Sequence, residues 1–468
     1  MKNKSIWSDT KINKNYKELS SDIKTDILII GGGITGINIL YNLKDEDVIL
    51  VERNKIGSGV TLNTTGKLTY FQDNIYNNII KNYDEKTASL YLKSQIEAIE
   101  IIKEIINNNN IECDFTKTKS YVFTDKKEDI ENIKLLKQFL EKNNIKVYEN
   151  DMKVLKYLYS ISVDDTYHFN PIKYIDRLLN LIDKNKIYEN TNIIDIKYKD
   201  DKYICSTKTN KIIANKIVLA THYPYFIYPY FFPLKCFLEK SYLVSFKEKI
   251  DNISLISYNK PTTSMRNYKD NVIYLSETHG LCNEVDDKTH FNNLLNKIDK
   301  KPDYIWSNID IITNDYIPYI GYMKKDFLIS TGYNTWGMTN SVLSGKIISD
   351  LIHNKKNEYV KLFDPKRSKK KLRILSDTFS TLKGYYEGFT NKNSKIKYTK
   401  INGIDAMIYK EDDKEYIVKR KCPHAKCNLL FNEEELTFDC PCHASRFDLE
   451  GNAIKGPSKY NIKIKKDK

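Results

Sequence analysis

The hydrophobic pattern of the first fifty residues changes period twice. Asp26-Ile27-Leu28-Ile29-Ile30 is a short apolar run of strand type, residues 37–43 read as a helix, and Val48-Ile49-Leu50-Val51 is a second strand ending at Glu52. Further on, residues 86–106 carry Leu90, Leu92, Ile96, Ile99 and Ile102 on a helical period and predict a helix, and 130–140 predict another. From 193 to 220 apolar and polar positions alternate in short runs split by Lys-Asp-Asp-Lys and Lys-Thr-Asn-Lys turns, which predicts an antiparallel meander. Residues 241–246 and 271–275 predict further strands. Beyond Asp350 the sequence is polar and charged to about Ser394, the pattern of a connector with one helix.

The turn between the first strand and helix carries chemistry. Gly31-Gly32-Gly33-Ile34-Thr35-Gly36 closes a strand and opens a helix, and Glu52 ends the next strand 21 positions after Gly31. In that context the glycines mark a dinucleotide-binding βαβ unit. Gly31 permits the tight turn, Gly33 lets the backbone approach a pyrophosphate, and Gly36 lets helix and strand pack closely. The helix N-terminus at Ile34 and Thr35 offers N–H donors and a positive dipole to the phosphates. Glu52 is placed to accept from ribose hydroxyls and to repel a 2′-phosphate.

The loop after Glu52 is long, small and polar, with Arg53, Ser58, Thr61, Thr65, Gly66 and Lys67. It resembles the FAD-binding loop of the D-amino-acid and glycine oxidase superfamily. The segments Lys216-Ile217-Val218-Leu219-Ala220-Thr221-His222 and Tyr316-Ile317-Pro318-Tyr319-Ile320-Gly321 resemble that superfamily too. So does the closing stretch from Ser330, with Gly332, Trp336, Gly337, Met338 and Thr339. The resemblance implies FAD, held by these residues. A strand, a glycine turn and a helix N-terminus near Gly337, Met338 and Thr339 also suit the anion that reduced flavin becomes at N1 and O2.

Near the C-terminus stand two hooks, Cys422-Pro423-His424 and, fifteen residues further, Cys440-Pro441-Cys442-His443. Each offers one thiolate and one imidazole. That is the donor set of a Rieske [2Fe–2S] centre; a closed tetrahedral zinc site is the other reading. The run Cys440-Pro441-Cys442-His443-Ala444-Ser445-Arg446-Phe447-Asp448, with Gly451 and Gly456-Pro457 beyond it, resembles the Rieske family. The resemblance implies Cys422, His424, Cys440 and His443 as ligands, and a disulfide between Cys427 and Cys442. Ala444 stands where the related subclass has glycine, a small change. Phe447 stands where its high-potential members carry a tyrosine, and a lost hydrogen bond to the cluster argues for an intermediate potential.

The whole chain is similar to the bacterial subgroup that joins this flavoprotein to a C-terminal Rieske domain. The expected architecture is an α/β FAD-binding Rossmann-type domain with an inserted α+β substrate domain, then a small all-β Rieske domain. Nucleotide-binding segments are expected at about 24–70, 150–222 and 310–355, and substrate-domain segments at 71–149 and 223–309. A connector at 356–394 and the Rieske domain at 395–468 complete the 468 residues.

Charge and cysteine content refine this. The net charge is +14, but lysine, asparagine, isoleucine and tyrosine saturate the chain throughout, so nucleic acid is not an expected partner. The densest basic run, Lys366-Arg367-Ser368-Lys369-Lys370-Lys371, falls in the expected connector. Four of eight cysteines lie between 422 and 442; Cys113, Cys205, Cys236 and Cys282 are scattered, as buried small hydrophobes are. No leading apolar run and no stretch of 18 apolar residues is present, so a cytoplasmic protein without an integral membrane segment is expected.

These features predict an enzyme. FAD would oxidise a small amine or amino acid, and the cluster would drain the electrons one at a time to an external carrier protein. The alternatives are a flavin and iron–sulfur relay or redox sensor without turnover, and a flavin-dependent reductase fed by the cluster. An oxygenase is not expected. Among His168, His222, His279, His290, His353, His424 and His443, no pair outside the cluster shows the close helical spacing of a two-histidine, one-carboxylate iron site. No catalytic base is assigned. Arg266 is the expected cation for a substrate carboxylate. His168 and His279 are expected to be structural, and His222 to lie near the nucleotide.

Overall fold

A computed structural model describes residues 3–224, 235–281, 287–367, 386 and 393–464. The first apolar run becomes strand β1 (Ile23–Ile30), which leads through the glycine turn into helix α1 (Ile34–Asn42) and strand β2 (Val48–Val51). β1 is central in a sheet. It pairs in parallel with β2 on one side and with β3 (Lys211–Leu219) on the other, and β4 (Phe327–Thr331) continues in parallel beyond β3. Helix α2 (Gly337–Ile352) follows β4 and meets α1, where the Asn38 amide donates to Ser341 Oγ at 3.3 Å.

Glycine is required twice in this unit. Gly31 has φ +116°, and a Cβ there would stand 2.5 Å from the Ala220 carbonyl oxygen. A Cβ at Gly36 would stand 1.9 Å from the Gly31 carbonyl oxygen. The turn and the close packing of helix on strand therefore both exclude a side chain.

The predicted meander forms. Asp195–Lys199 and Lys202–Ser206 fold antiparallel, and the second lies antiparallel to β3. The predicted helices run Glu85–Asn108, capped by the Asp84 carboxylate on the Thr87 N–H at 2.7 Å, and Ile130–Lys142. The predicted strands extend to Cys236–Lys247 and Asn271–Gly280. They belong to a mainly antiparallel nine-stranded sheet that faces the nucleotide unit. Lys67–Leu68 and Tyr159–His168 pair with each other in this larger sheet. The expected nucleotide segment 24–70 thus runs into it, and the segment 150–222 begins within it.

The C-terminal unit has two antiparallel sheets. One holds Ile396–Ile401, Ile404–Glu411 and Lys414–Lys419; the other holds Leu430–Asn432, Thr437–Asp439, Arg446–Phe447 and Ala453–Lys455. Cys422, Cys427, Cys440 and Cys442 lie in its core with Met407, Val418, Phe438 and Phe447. No helix among the described residues is long and apolar enough to cross a membrane.

The expected connector is only partly a solvated tether. Val360–Phe363 is a short helix with Leu362 and Phe363 buried. Arg367, read from sequence as part of a basic run, is instead locked into an ion pair. Its Nε donates to Asp315 Oδ2 at 2.8 Å, its Nη2 to Asp315 Oδ1 at 3.0 Å and its Nη1 to the Pro318 carbonyl at 2.8 Å. The remainder of that run, Ser368 to Lys371, most of the connector beyond it and Cys282 lie outside the described residues.

Burial alone would raise the Asp315 carboxyl, but the guanidinium beside it carries it down to about 2. Arg367→Met should therefore cost about 3–5 kcal/mol at neutral pH, because the carboxylate is left buried without its cation. The folded value lies below the unfolded one, about 3.9, so the pair's contribution is complete above about pH 4 and is lost as pH falls towards 2. Thermal unfolding of both proteins from pH 7 to pH 3 checks this: the gap in Tm should narrow at the acid end.

Candidate functional site

A cavity opens where the C-terminal ends of β1, β2, β3 and β4 face the larger sheet. Its wall includes Gly31, Gly33, Ile34, Thr35, Glu52, Arg53, Ser58, Thr61, Thr65, Lys67, Gly332, Trp336, Gly337 and Met338, all anticipated from sequence. Gly36, Gly66 and Thr339 stand behind it; the Thr339 hydroxyl turns away to Gln95 Oε1 at 2.6 Å. The Thr61 hydroxyl accepts the Ile34 N–H at 3.0 Å and so ties the loop to the start of α1. Glu52 Oε2 accepts from the Gly32 N–H at 2.7 Å and Oε1 from the Asn54 N–H at 2.8 Å. Burial raises this carboxyl, and those two N–H groups oppose the rise. A carboxylate has acceptor sites to spare for ribose hydroxyls.

The other end of the cleft is built for a ring that carries negative charge. The first backbone bond of α2 runs from Asn340 N–H to the Trp336 carbonyl, so the N–H groups of Gly337, Met338 and Thr339 have no partner within the helix. Asn334 and Thr335 precede it with φ +52° and +70°, a strained turn that aims the helix at the cavity. Asn334 Nδ2 is buried without a partner. A glycine turn, two helix N-termini and an orphaned donor fit FAD laid across the cleft.

The larger sheet supplies the remaining wall. Phe237, Glu239, Ser241 and Leu243 alternate along Cys236–Lys247, and Asn308 and Asp310 along the neighbouring Tyr304–Thr313. Sequence reasoning missed this face; the period of two along the strand puts Glu239 and Ser241 on one side of it, but nothing local says that side lines a cavity. Burial, with Glu239 beside it, pushes the Asp310 carboxyl up to about 7; burial takes Asp73 to about 6. Glu239 pairs with Lys260 at 2.8 Å.

Arg266 is not the substrate cation expected from sequence. It is fully buried behind the wall and donates to the carbonyls of Asn267 at 3.0 Å and Gly66 at 2.8 Å. It shapes the Gly66 turn instead. His168 is buried beside it, while His279 stacks on His290, 4.1 Å between ring centroids, away from the cavity. His222 lines the cavity.

The four predicted cluster ligands come together. Cys422 and Cys440 are buried free thiols, and the His424 and His443 rings stand perpendicular with centroids 4.9 Å apart. Both ring nitrogens of His424 and Nδ1 of His443 are buried without a partner. Burial, helped by Lys459 and by His424 respectively, pushes both imidazoles down to about 4, which keeps them neutral and able to ligate. Two thiols and two orphaned imidazoles fit a [2Fe–2S] cluster. Cys427 and Cys442 form a disulfide beside them, with Cα atoms 6.6 Å apart. Two backbone bonds shape the hooks, Cys422 N–H to Cys427 O at 2.8 Å and Cys440 N–H to Ser445 O at 2.7 Å. The exchange of glycine for Ala444 is larger than expected, because Ala444 sits at φ +57°.

The two sites share a boundary. Residues 454–459 of the C-terminal unit line the cavity, a contribution the sequence did not signal. Arg53, expected on the nucleotide, donates to the Ser458 carbonyl at 2.7 Å. The Ser458 N–H in turn donates to Ser445 Oγ at 3.1 Å. Tyr223, on the cavity wall, lies 6.1 Å from His443 between ring centroids. Arg446 is buried at the join and donates to Asp439 at 2.7 Å, with Glu435 at 2.8 Å. Glu435 also accepts from the Ser307 hydroxyl at 2.6 Å, and Lys240 pairs with Asp287. The carboxylates of Asp287, Glu435 and Asp439 cluster, but Lys240, Arg446 and Lys455 face them, so the cluster is a joint between units.

Comparison with known proteins agrees with an FAD unit followed by a [2Fe–2S] unit. The model of the family described as FAD dependent oxidoreductase matches residues 26–351, and that of the Rieske [2Fe-2S] domain matches 389–465. YhfW of Bacillus subtilis, whose name describes a Rieske 2Fe-2S iron-sulfur protein, is 27% identical over 97% of this chain and 95% of its own length. Gamma-glutamylputrescine oxidoreductase of Escherichia coli is 29% identical over 24% of this chain and 27% of its own. The structure of glycine oxidase from Geobacillus kaustophilus shares the fold, with TM-score 0.62 and 16% identity over 74% of this chain and 99% of that one.

Two substitutions test the cluster unit. Cys440→Ser should abolish bound iron and acid-labile sulfide while FAD absorbance is kept; iron and sulfide retained at wild-type content would overturn the ligand set. Ala444→Gly should relieve the left-handed strain and stabilise the Rieske unit by about 0.5–1 kcal/mol, read as a rise in the temperature at which the cluster absorbance bleaches.

Proposed function

The chain belongs to the FAD dependent oxidoreductase family and joins that flavoprotein to a Rieske domain, and on that premise we propose that it oxidises a small amine or amino acid and passes the electrons singly to the built-in cluster. FAD, when bound, supplies the hydride acceptor for the carbon beside the substrate nitrogen. The observation that carries the reading is Tyr223, which forms part of the cavity wall and packs against the cluster ligand His443. One aromatic ring thus touches both sites. The loop at 454–459 closes the same boundary.

The protein's own groups divide the work. The glycine turn and α1 hold the pyrophosphate, Glu52 the ribose, and the N-terminus of α2 faces the ring. Glu239, Ser241, Asn308 and Asp310 line the substrate side, where water is displaced and an amine finds acceptors. Arg53 is the sole arginine on the wall among the described residues, and it is engaged by Ser458. A substrate carboxylate would therefore meet a lysine of the wall. Cys422, His424, Cys440 and His443 would hold the cluster, which would supply a one-electron outlet to an external carrier protein. The intermediate cluster potential that Phe447 implies suits such an outlet.

Anaerobic mixing with a panel of amines and amino acids tests this reading. The expected result is flavin bleaching by at least one of them, followed by the EPR signal of the reduced cluster. Bleaching without cluster reduction would sink the internal transfer. Reduction of the flavin only by a redox protein would favour the relay, and reduction of the cluster before the flavin by that protein would favour the reductase.

A further inference from the structure

Lys67 is a buried lysine bonded to uncharged partners. Its Nζ donates to the Leu255 carbonyl at 2.7 Å and to Ser264 Oγ at 2.6 Å, and it forms no ion pair among the described residues. Its side chain lines the cavity. Directly behind it Arg266 is also fully buried, bonded to backbone carbonyls, with Nη2 unpartnered. A buried charge is costly unless an opposite charge meets it. Arg266 lies over the Trp7 and Tyr268 rings, while Lys67 is on the cavity wall with Asp73 acting on it, so an anion in the cavity favours the charged form of Lys67.

We propose that Lys67 is the counter-charge of the reduced flavin, its ammonium facing the negative charge that the isoalloxazine ring gains on reduction. The proposal rests on FAD occupying this cavity and not on the identity of the substrate. The balance is simple. Oxidised flavin takes two electrons and one proton to become an anion, and the Lys67 amine takes a second proton from solvent to become ammonium.

The surroundings set the direction of the pH effect. Burial and Arg266, opposed by Asp73, push Lys67 down to about 7. An anion beside it favours the charged form and raises that value. Three other groups face it. Arg266 on Ser264–Tyr268 stays cationic, since burial takes it down only to about 9. His168 on Tyr159–His168 is pushed to about 2 by burial, Arg266 and Lys67 and stays neutral. Asp73 titrates near 6, so an anion raises it as well and adds a separate step centred below that of Lys67.

Spectroelectrochemical titration of the holoprotein between pH 6 and pH 9, following the flavin, is the test, with FAD content measured first in every variant. The wild type should take up two protons per two electrons above pH 7. Lys67→Met should take up one and be harder to reduce, and Lys67→Arg should regain the easier reduction without the second proton. Asp73→Asn should leave the second proton above pH 7 in place. Sulfite is an independent anionic probe: its sulfur lone pair bonds to flavin N5 and leaves the negative charge on the ring. Lys67→Met should weaken sulfite about tenfold or more, the equivalent of one pK unit of interaction. Wild-type proton uptake and sulfite affinity in an FAD-replete Lys67→Met protein would overturn the proposal. An unchanged potential with loss of acetate or benzoate binding would overturn it too, and would give the ammonium to a substrate carboxylate. A variant that holds FAD yet fails to reduce its cluster would speak against the electron path and leave this titration intact.

Discussion

The structure depends on the solvation of charge at the join between its two redox units. Arg446 is buried there and bonds to Asp439 and Glu435, while Lys240 holds Asp287. Burial would raise Glu435, yet Arg446, Lys240 and Lys455 bring it down to about 2. A network of charges paired this closely resists separation, because pulling one member out leaves the others buried and unpaired. Arg446 adjoins Ser445 and Phe447 in sequence, so the contact that fixes the C-terminal unit in place also fixes the strand that carries the cluster pocket.

Much of this was readable in the chain. The βαβ unit announced itself because its requirements are local: a strand, a glycine turn, a helix start and an acid at the next strand end. The cluster hooks were equally plain, since thiols and imidazoles at fixed spacing have few other uses. The substrate face was not readable. Glu239 and Asp310 lie far apart in sequence and meet only because two strands pair in register. Arg266 looked like a ligand-binding cation because nothing in its neighbourhood revealed the Gly66 carbonyl that claims it. Arg367 looked like one member of a basic run, and its partner Asp315 is named by tertiary packing alone.

The two departures from the Rieske pattern act on different properties. Phe447 is fully buried and has no hydroxyl to donate, so the departure expected there bears on potential. Ala444 keeps the hook's shape at a cost in backbone strain, which bears on stability. Ser445 is retained; its hydroxyl accepts from the Ser458 N–H and bonds to the Cys422 sulfur. The hook's geometry therefore relies on the 454–459 loop, and that loop is tied to the flavoprotein through Arg53.

That loop is a wall of the nucleotide cleft supplied by a different unit from the one that supplies its floor. Occupancy of the cleft and docking of the C-terminal unit are then linked equilibria. Whatever free energy a bound dinucleotide gains from the loop is returned, in equal measure, as tighter docking, and reciprocity requires that undocking loosen the dinucleotide by the same factor. Retention of one cofactor is thus a property of the domain that carries the other.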